Sequence, residues 1–245
     1  MSAGVDAAGP ASASASAPAP APTSAEVAER VRHAIYTRFA STGAASSVEE
    51  IASALALEAA VVAEAFDRLA TERHVVLDPE RRILMAHPFA SIPLGFSVMG
   101  PDTLWWGGCA WDSFAIPHLV PDAPEVLVAT TCPNCGTAHA WTVGRDAPPA
   151  GDQVAHFLVP TAHIWDDVVH TCAHQSIFCS ADCVAEWLAD EKLEAGYTMS
   201  LETLWRLAAH WYEGRLDTPY TRRDPQTAAA YFRSVGLEGP FWGLD

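Results

Sequence analysis

The stretch Ser47–Met85, SVEEIASALALEAAVVAEAFDRLATERHVVLDPERRILM, carries the reading that decides the fold. Ser47 with Glu50 three residues on is a capping box, each side chain taking up the other's free backbone N–H. It opens a short helix that faces Ile51 and Leu55 inward. From about Glu58 to Glu72, Val61, Val62, Ala65, Phe66 and Leu69 recur at helical spacing and predict a second helix. His74–Leu77 and Arg82–Met85 are β-prone, and Asp78-Pro79-Glu80-Arg81 between them has the chemistry of a tight turn, so a hairpin follows. Upstream, Thr23 and Glu26 make a second capping box ahead of Val27, Val31 and Ile35. Three helices and a hairpin form the winged-helix pattern, expected over residues 24–90.

A winged helix can read DNA through its third helix, but charge argues against that here. Residues 25–88 hold seven arginines against ten acids, and the third helix carries Glu58, Glu64 and Asp67 on its polar side. The whole chain has a formal net charge of −16 and a single lysine, Lys192. Phosphate repulsion excludes a nucleic-acid partner and disfavours an anionic membrane surface. The front unit is therefore expected to pack or cover rather than to bind DNA.

Residues 1–23, rich in Ala, Ser and Pro, lack the charged and Leu-rich regions of a secretory signal and read as a disordered tail. With no apolar run long enough to span a bilayer, a cytoplasmic location is expected. Pro88 and Pro93 mark a boundary, and residues 91–245 form a second unit. Short strands are expected at Phe96–Val98, Val126–Thr130, Ala140–Val143 and His156–Val159, with helices near Ala181–Asp190 and Ser200–Tyr212. Asp224-Pro225 opens a last helix and Gly236 closes it. Irregular alternation without long crossovers predicts an α+β fold with a mixed sheet and C-terminal helices.

The six cysteines divide by spacing. Cys132-Pro-Asn-Cys135-Gly is a knuckle, and Cys179-Ser-Ala-Asp-Cys183 brings a second pair to the start of a helix. Four thiolates on two such elements suit a structural Zn²⁺, with His139, His170 and His174 as substitutes for a weak ligand. The competing reading is four buried apolar cysteines or a redox pair.

Cys109 and Cys172 remain. Cys109 lies in Trp106-Gly-Gly-Cys109-Ala-Trp-Asp112, where Gly107 and Gly108 free the backbone for a sharp bend and a close approach to a ligand. Asp112 is close enough to exchange a proton with the Cys109 sulfur, or else it simply caps the next helix. Cys172 follows a run dense in polar and aromatic groups, His163-Ile-Trp165-Asp-Asp-Val-Val-His170-Thr.

These residues resemble the alkylmercury lyase family. Cys109-Ala-Trp-Asp112 with Pro117 downstream is similar to its first signature. The stretch from His156-Phe-Leu-Val-Pro160 through Thr171-Cys172 to Phe178-Cys-Ser180 is similar to its second. The resemblance covers about residues 25–245, and Gly236-Leu-Glu-Gly-Pro-Phe-Trp242 resembles a tail found in some members. Ala173 departs from the pattern, standing where members carry a further cysteine. Cys132 matches a non-catalytic family cysteine, whereas Cys135, Cys179 and Cys183 are additions.

The resemblance implies an enzyme that cleaves carbon–mercury bonds by protonolysis to a hydrocarbon and Hg(II). Cys109 and Cys172 would hold the mercury, and Asp112 would move the proton. Thiolates are the natural ligands of a soft cation, and desolvation of a carboxyl group favours the protonated form an acid needs. Trp105, Trp106, Trp111 and Phe114 suit an apolar organic group. No organic cofactor is implied. Small thiols would support turnover, and a mercuric reductase is an expected recipient of the product. The alternatives are a non-catalytic soft-metal-binding module, which has no need of Asp112, and a relative cleaving another carbon–metal or carbon–heteroatom bond.

Overall fold

The computed structural model describes residues 22–244, so the expected tail lies outside the described residues apart from Pro22 and Thr23. Three helices come first: α1 (Ser24–Thr42), α2 (Val48–Leu55) and α3 (Ala59–Thr71). Thr23 and Ser47 form the two capping boxes expected of them. Strands β1 (Val76–Leu77) and β2 (Ile83–Ala86) make the hairpin, and β3 (Phe89–Ala90), β4 (Phe96–Met99) and β5 (Leu104–Gly107) follow. After α4 (Ala110–Leu119) come β6 (Glu125–Thr131), β7 (Ala138–Gly144) and β8 (Val154–Phe157). The remainder is α5 (Val168–Ala173), β9 (Gln175–Phe178), α6 (Ala181–Glu191), β10 (Tyr197–Ser200), α7 (Leu201–Ala209) and α8 (Pro225–Ser234).

The fold is α+β. One antiparallel sheet has the order β1-β2-β3-β5-β4-β6-β7, and a smaller one has the order β10-β8-β9. The hairpin next to the helical front thus continues into the strands of the second half, and one core runs from Val27 to Leu244. Among the described residues, no helix is long and apolar enough to cross a membrane.

Helix α4 sits at the centre, against strands of the large sheet and against α7. Every residue but His118 is buried, so the helix is enclosed on all sides rather than amphipathic. Its free C-terminal carbonyls are answered by Arg145, whose guanidinium donates to Pro117 O at 2.6 Å and Val120 O at 2.8 Å. The buried Arg32 on α1 donates to the carbonyls of Arg215 (2.7 Å) and Asp217 (2.6 Å), tying the first helix to the segment after α7.

His74, His118 and His156 are held neutral, each pushed down to about 4, chiefly by burial. The unfolded chain binds these protons near pH 6.5 and the folded chain resists them, so acid favours unfolding. The melting temperature should hold above pH 6.5 and fall steadily towards pH 4. A flat profile across that window by differential scanning calorimetry would contradict these assignments.

Candidate active site and a cysteine cluster

Strand β5 ends at Gly107, and the chain turns so that Cys109, in extended conformation, becomes the N-cap of α4; its Sγ accepts the Asp112 N–H at 3.4 Å. A Cβ on Gly107 would strike Ser113, and one on Gly108 would strike the Asp112 carboxylate and Met85. The glycines therefore permit a close approach to α4's own first turn, not to a ligand as the sequence suggested. Asp112 does not cap the helix either. It lies inside the first turn, with its side chain turned into the protein.

The Asp112 carboxylate is buried and held from two sides. Tyr212 O–H donates to Oδ1, and His87 Nδ1 lies 2.9 Å from Oδ2. Cys172, on the short helix α5 that Asp167 caps, is buried beside them. His87, Asp112 and Cys172 each place a ligand atom within 4.8 Å of the others. Cys109, Asp112 and Cys172 thus line one cavity of about 90 Å³. His87 and Tyr212 were not anticipated. Tyr212 sits just past α7, in a stretch where its sequence neighbours read as an ordinary apolar helical stripe.

The electrostatics favour neutral thiols in the resting site. Burial pushes the Cys109 thiol well up, and its neighbours Cys172 and Asp112 add to the shift. For Cys172, the hydrogen bond with Cys109 works downward, but burial and the Asp112 charge outweigh it and the net direction is up. Tyr212 is raised well above its ordinary value by burial and then by the Asp112 charge, so it remains a hydrogen-bond donor.

The aromatic expectation is corrected in part. Trp111 lines the cavity, but Trp105 is buried elsewhere with its indole N–H on Phe39 O, and Trp106 lies on the outer surface. Phe114 is core. The other cavity-lining tryptophans are Trp165 and Trp211, placed there by distant segments.

The remaining four cysteines also meet. The turn between β6 and β7 presents Cys132 and Cys135, closed by Gly136 in left-handed conformation (φ 72°). The end of β9 and the first turn of α6 present Cys179 and Cys183. All four sulfurs lie within 4.8 Å of one another, with Cys135 and Cys179 3.4 Å apart, and all are free thiols. His139 Nε2 lies 3.3 Å from the Cys179 sulfur, whereas His170 and His174 lie against each other, rings tilted by 38°, outside the cluster.

No curated protein matches the chain. Its structure is similar to the crystal structure of the mercury-bound form of MerB2, at a TM-score of 0.60 and 18% identity, covering 78% of this chain and 91% of that one. That likeness shows the fold. The alkylmercury lyase (MerB) family model matches residues 89–213, just over half of the chain and the part that holds Cys109, Asp112, Cys172 and Tyr212, with His87 just before it. On that match the chain belongs to the alkylmercury lyase family, and it is a lyase.

Proposed function

We propose that this lyase cleaves the carbon–mercury bond of organomercurials by protonolysis, with Cys109 and Cys172 as mercury ligands and Asp112 as the proton carrier. The observation that carries the reading is the convergence of two buried thiols and one buried carboxylate on a single cavity from separate elements. One thiol replaces the ligand that accompanies R–Hg and gives up its proton to it, leaving R–Hg–S. The second sulfur then adds to mercury, and its proton passes through Asp112 to carbon. The carbon–mercury bond breaks with its electron pair going to carbon, giving R–H and Hg(II) between two sulfurs. No electron is gained or lost overall.

Each feature of the site suits one step. Neutral thiols bring the protons the reaction consumes, and mercury is soft enough to displace them. Tyr212 and His87 hold the carboxylate in place, so orientation is settled before substrate enters. Small external thiols then draw off Hg(II), with a mercuric reductase as a later recipient, in a reducing cytoplasm that keeps all six cysteines free. Incubation with phenylmercury and excess mercaptoethanol should release benzene catalytically, measured in the headspace. Stoichiometric mercury uptake without benzene would instead favour the binding-module reading.

We also propose that Cys132, Cys135, Cys179 and Cys183 hold a structural Zn²⁺. A tetrahedron with Zn–S bonds of about 2.3 Å has edges of about 3.8 Å, which suits four sulfurs all within 4.8 Å. The local packing supports it: only Cys132, Phe178 and Val184 are fully buried in this satellite core, too few to fasten the β6–β7 turn to α6. Residues 24–90 are read as a packing unit without DNA affinity; Asp67 on α3 faces outward and pairs with Arg81 at 2.8 Å.

A further inference from the structure

Four arginines, Arg73, Arg215, Arg222 and Arg223, line the cavity, against a single carboxylate, Asp112, in a chain of net charge −16. The ion pairs that arginines make among the described residues use Arg32, Arg38, Arg68, Arg81, Arg82 and Arg206, and none of the cavity's four. Instead the guanidinium groups stack on rings. Arg73 and Arg222 lie 5.7 and 5.3 Å from the Trp165 centroid, and Arg223 lies 4.9 Å from that of Tyr231. Arg215 is buried among Tyr36, Tyr212 and Tyr220 at 5.5, 4.9 and 5.0 Å.

Stacking orients these cations. Each of three also donates to neutral oxygens, Arg215 to Tyr36 Oη and His87 O, Arg222 to Glu72 O and Arg223 to His210 O, which leaves their positive charge without a carboxylate partner. Two buried donors on the same cavity have no acceptor: Arg215 Nε, on a side chain only 6% exposed, and the Trp111 indole N–H. Like charge also crowds the rim, since burial first, and then the Arg215 charge, pull Arg222 below its ordinary value. Arg73 occupies a left-handed position (φ 62°) just after α3, where glycine or asparagine would be easier. Guanidinium groups without a carboxylate partner, beside buried, unanswered donors, make a receptor for an anion.

We propose that this arginine rim is a carboxylate-binding subsite for anionic mercury complexes, in which the mercury reaches Cys109 and Cys172 while a carboxylate on one of its two ligands is held at the cavity mouth. The inference rests on the proposed reaction for its biological sense. Its physical content, anion binding beside the thiols, stands apart from that reaction. The carboxylate has two possible sources, the organic group or the accompanying thiolate, and both offer the same planar acceptor to a guanidinium fork.

Two measurements test it. The first uses no mercury: titration of tryptophan fluorescence with mercaptosuccinate, a dicarboxylate thiol, and with neutral mercaptoethanol. Mercaptosuccinate should bind roughly tenfold more weakly to Arg222→Gln than to wild type, and more weakly to both as salt is raised. The wild-type-to-variant ratio for mercaptoethanol should stay close to one. Arg73→Gln, at an exposed position, should reproduce the loss and serves if Arg222→Gln folds poorly.

The second compares kcat/KM for phenylmercury and para-carboxyphenylmercury, each presented with either thiol. A preference for the carboxylated aryl group that collapses in the variants assigns the rim to the organic group; a preference for mercaptosuccinate that collapses assigns it to the thiolate. Equal mercaptosuccinate affinity in wild type and both variants overturns the subsite. Release of neither benzene nor benzoate from the respective substrates, with anion binding intact, would instead sink the proposed reaction and leave the subsite standing.

Discussion

Asp112→Asn is expected to lower the turnover of an organomercurial by about 10²–10⁴-fold, the usual loss when one positioned acid–base group is removed. Cys109→Ser and Cys172→Ser should each abolish it, because a hydroxyl neither ionises near neutral pH nor binds a soft metal well. The Asn variant should nevertheless fold and still take up R–Hg. Its carbonyl oxygen can accept from Tyr212 O–H as Oδ1 does now. Its NH₂ would face His87 Nδ1, which becomes an acceptor by changing tautomer. Single-turnover hydrocarbon release, read beside the melting temperature, separates chemistry from folding. Wild-type rates in Asp112→Asn would remove Asp112 from the mechanism. Loss of mercury binding together with rate would assign it a role in holding the thiols instead.

Removal of zinc should have the largest effect on stability. Protein purified without chelator should contain close to one zinc per chain. Chelation should lower the melting temperature by many degrees, because the binding energy of a structural zinc is folding energy. Cys132→Ser should do the same, with its effect reaching the active site: Cys172 precedes Cys179 by only seven residues, and β9 runs between them. Absence of zinc by elemental analysis, with an unchanged melting temperature in Cys132→Ser, would return these four residues to the status of packed thiols.

What could be read from the sequence was local or chemically distinctive. Both capping boxes, the turn at Asp78–Arg81 and the proline opening of α8 depend on residues three or four apart, and each is found where expected. The cysteines are brought together as the quartet and the pair that their spacing suggested. What escaped was made by distant segments. His87 and Tyr212 meet at Asp112 across a separation of more than a hundred residues, and no periodicity marks either. Trp105 and Trp106 were assigned to the site by proximity to Cys109, but alternate residues of a strand face opposite ways, and neither side of β5 is the cavity. The cavity's arginines were not anticipated either: Arg73 lies far in sequence from Arg215, Arg222 and Arg223, and the fold brings the four together.

The clamp from Arg32 to the carbonyls of Arg215 and Asp217 bears on how the protein is made. A chain emerging from the ribosome has its front helices long before it has residues 212–223, yet those residues supply the tyrosine that holds Asp112 and most of the arginine rim. Until they arrive, Arg32 is a cation without its buried carbonyls, and the pocket floor lacks a wall. Catalytic competence should therefore appear only once residues 212–223 have been made. A chain that stops before these residues would be inert toward mercury chemistry rather than partly active, and its half-built thiol pocket would be open to capture by any soft metal nearby.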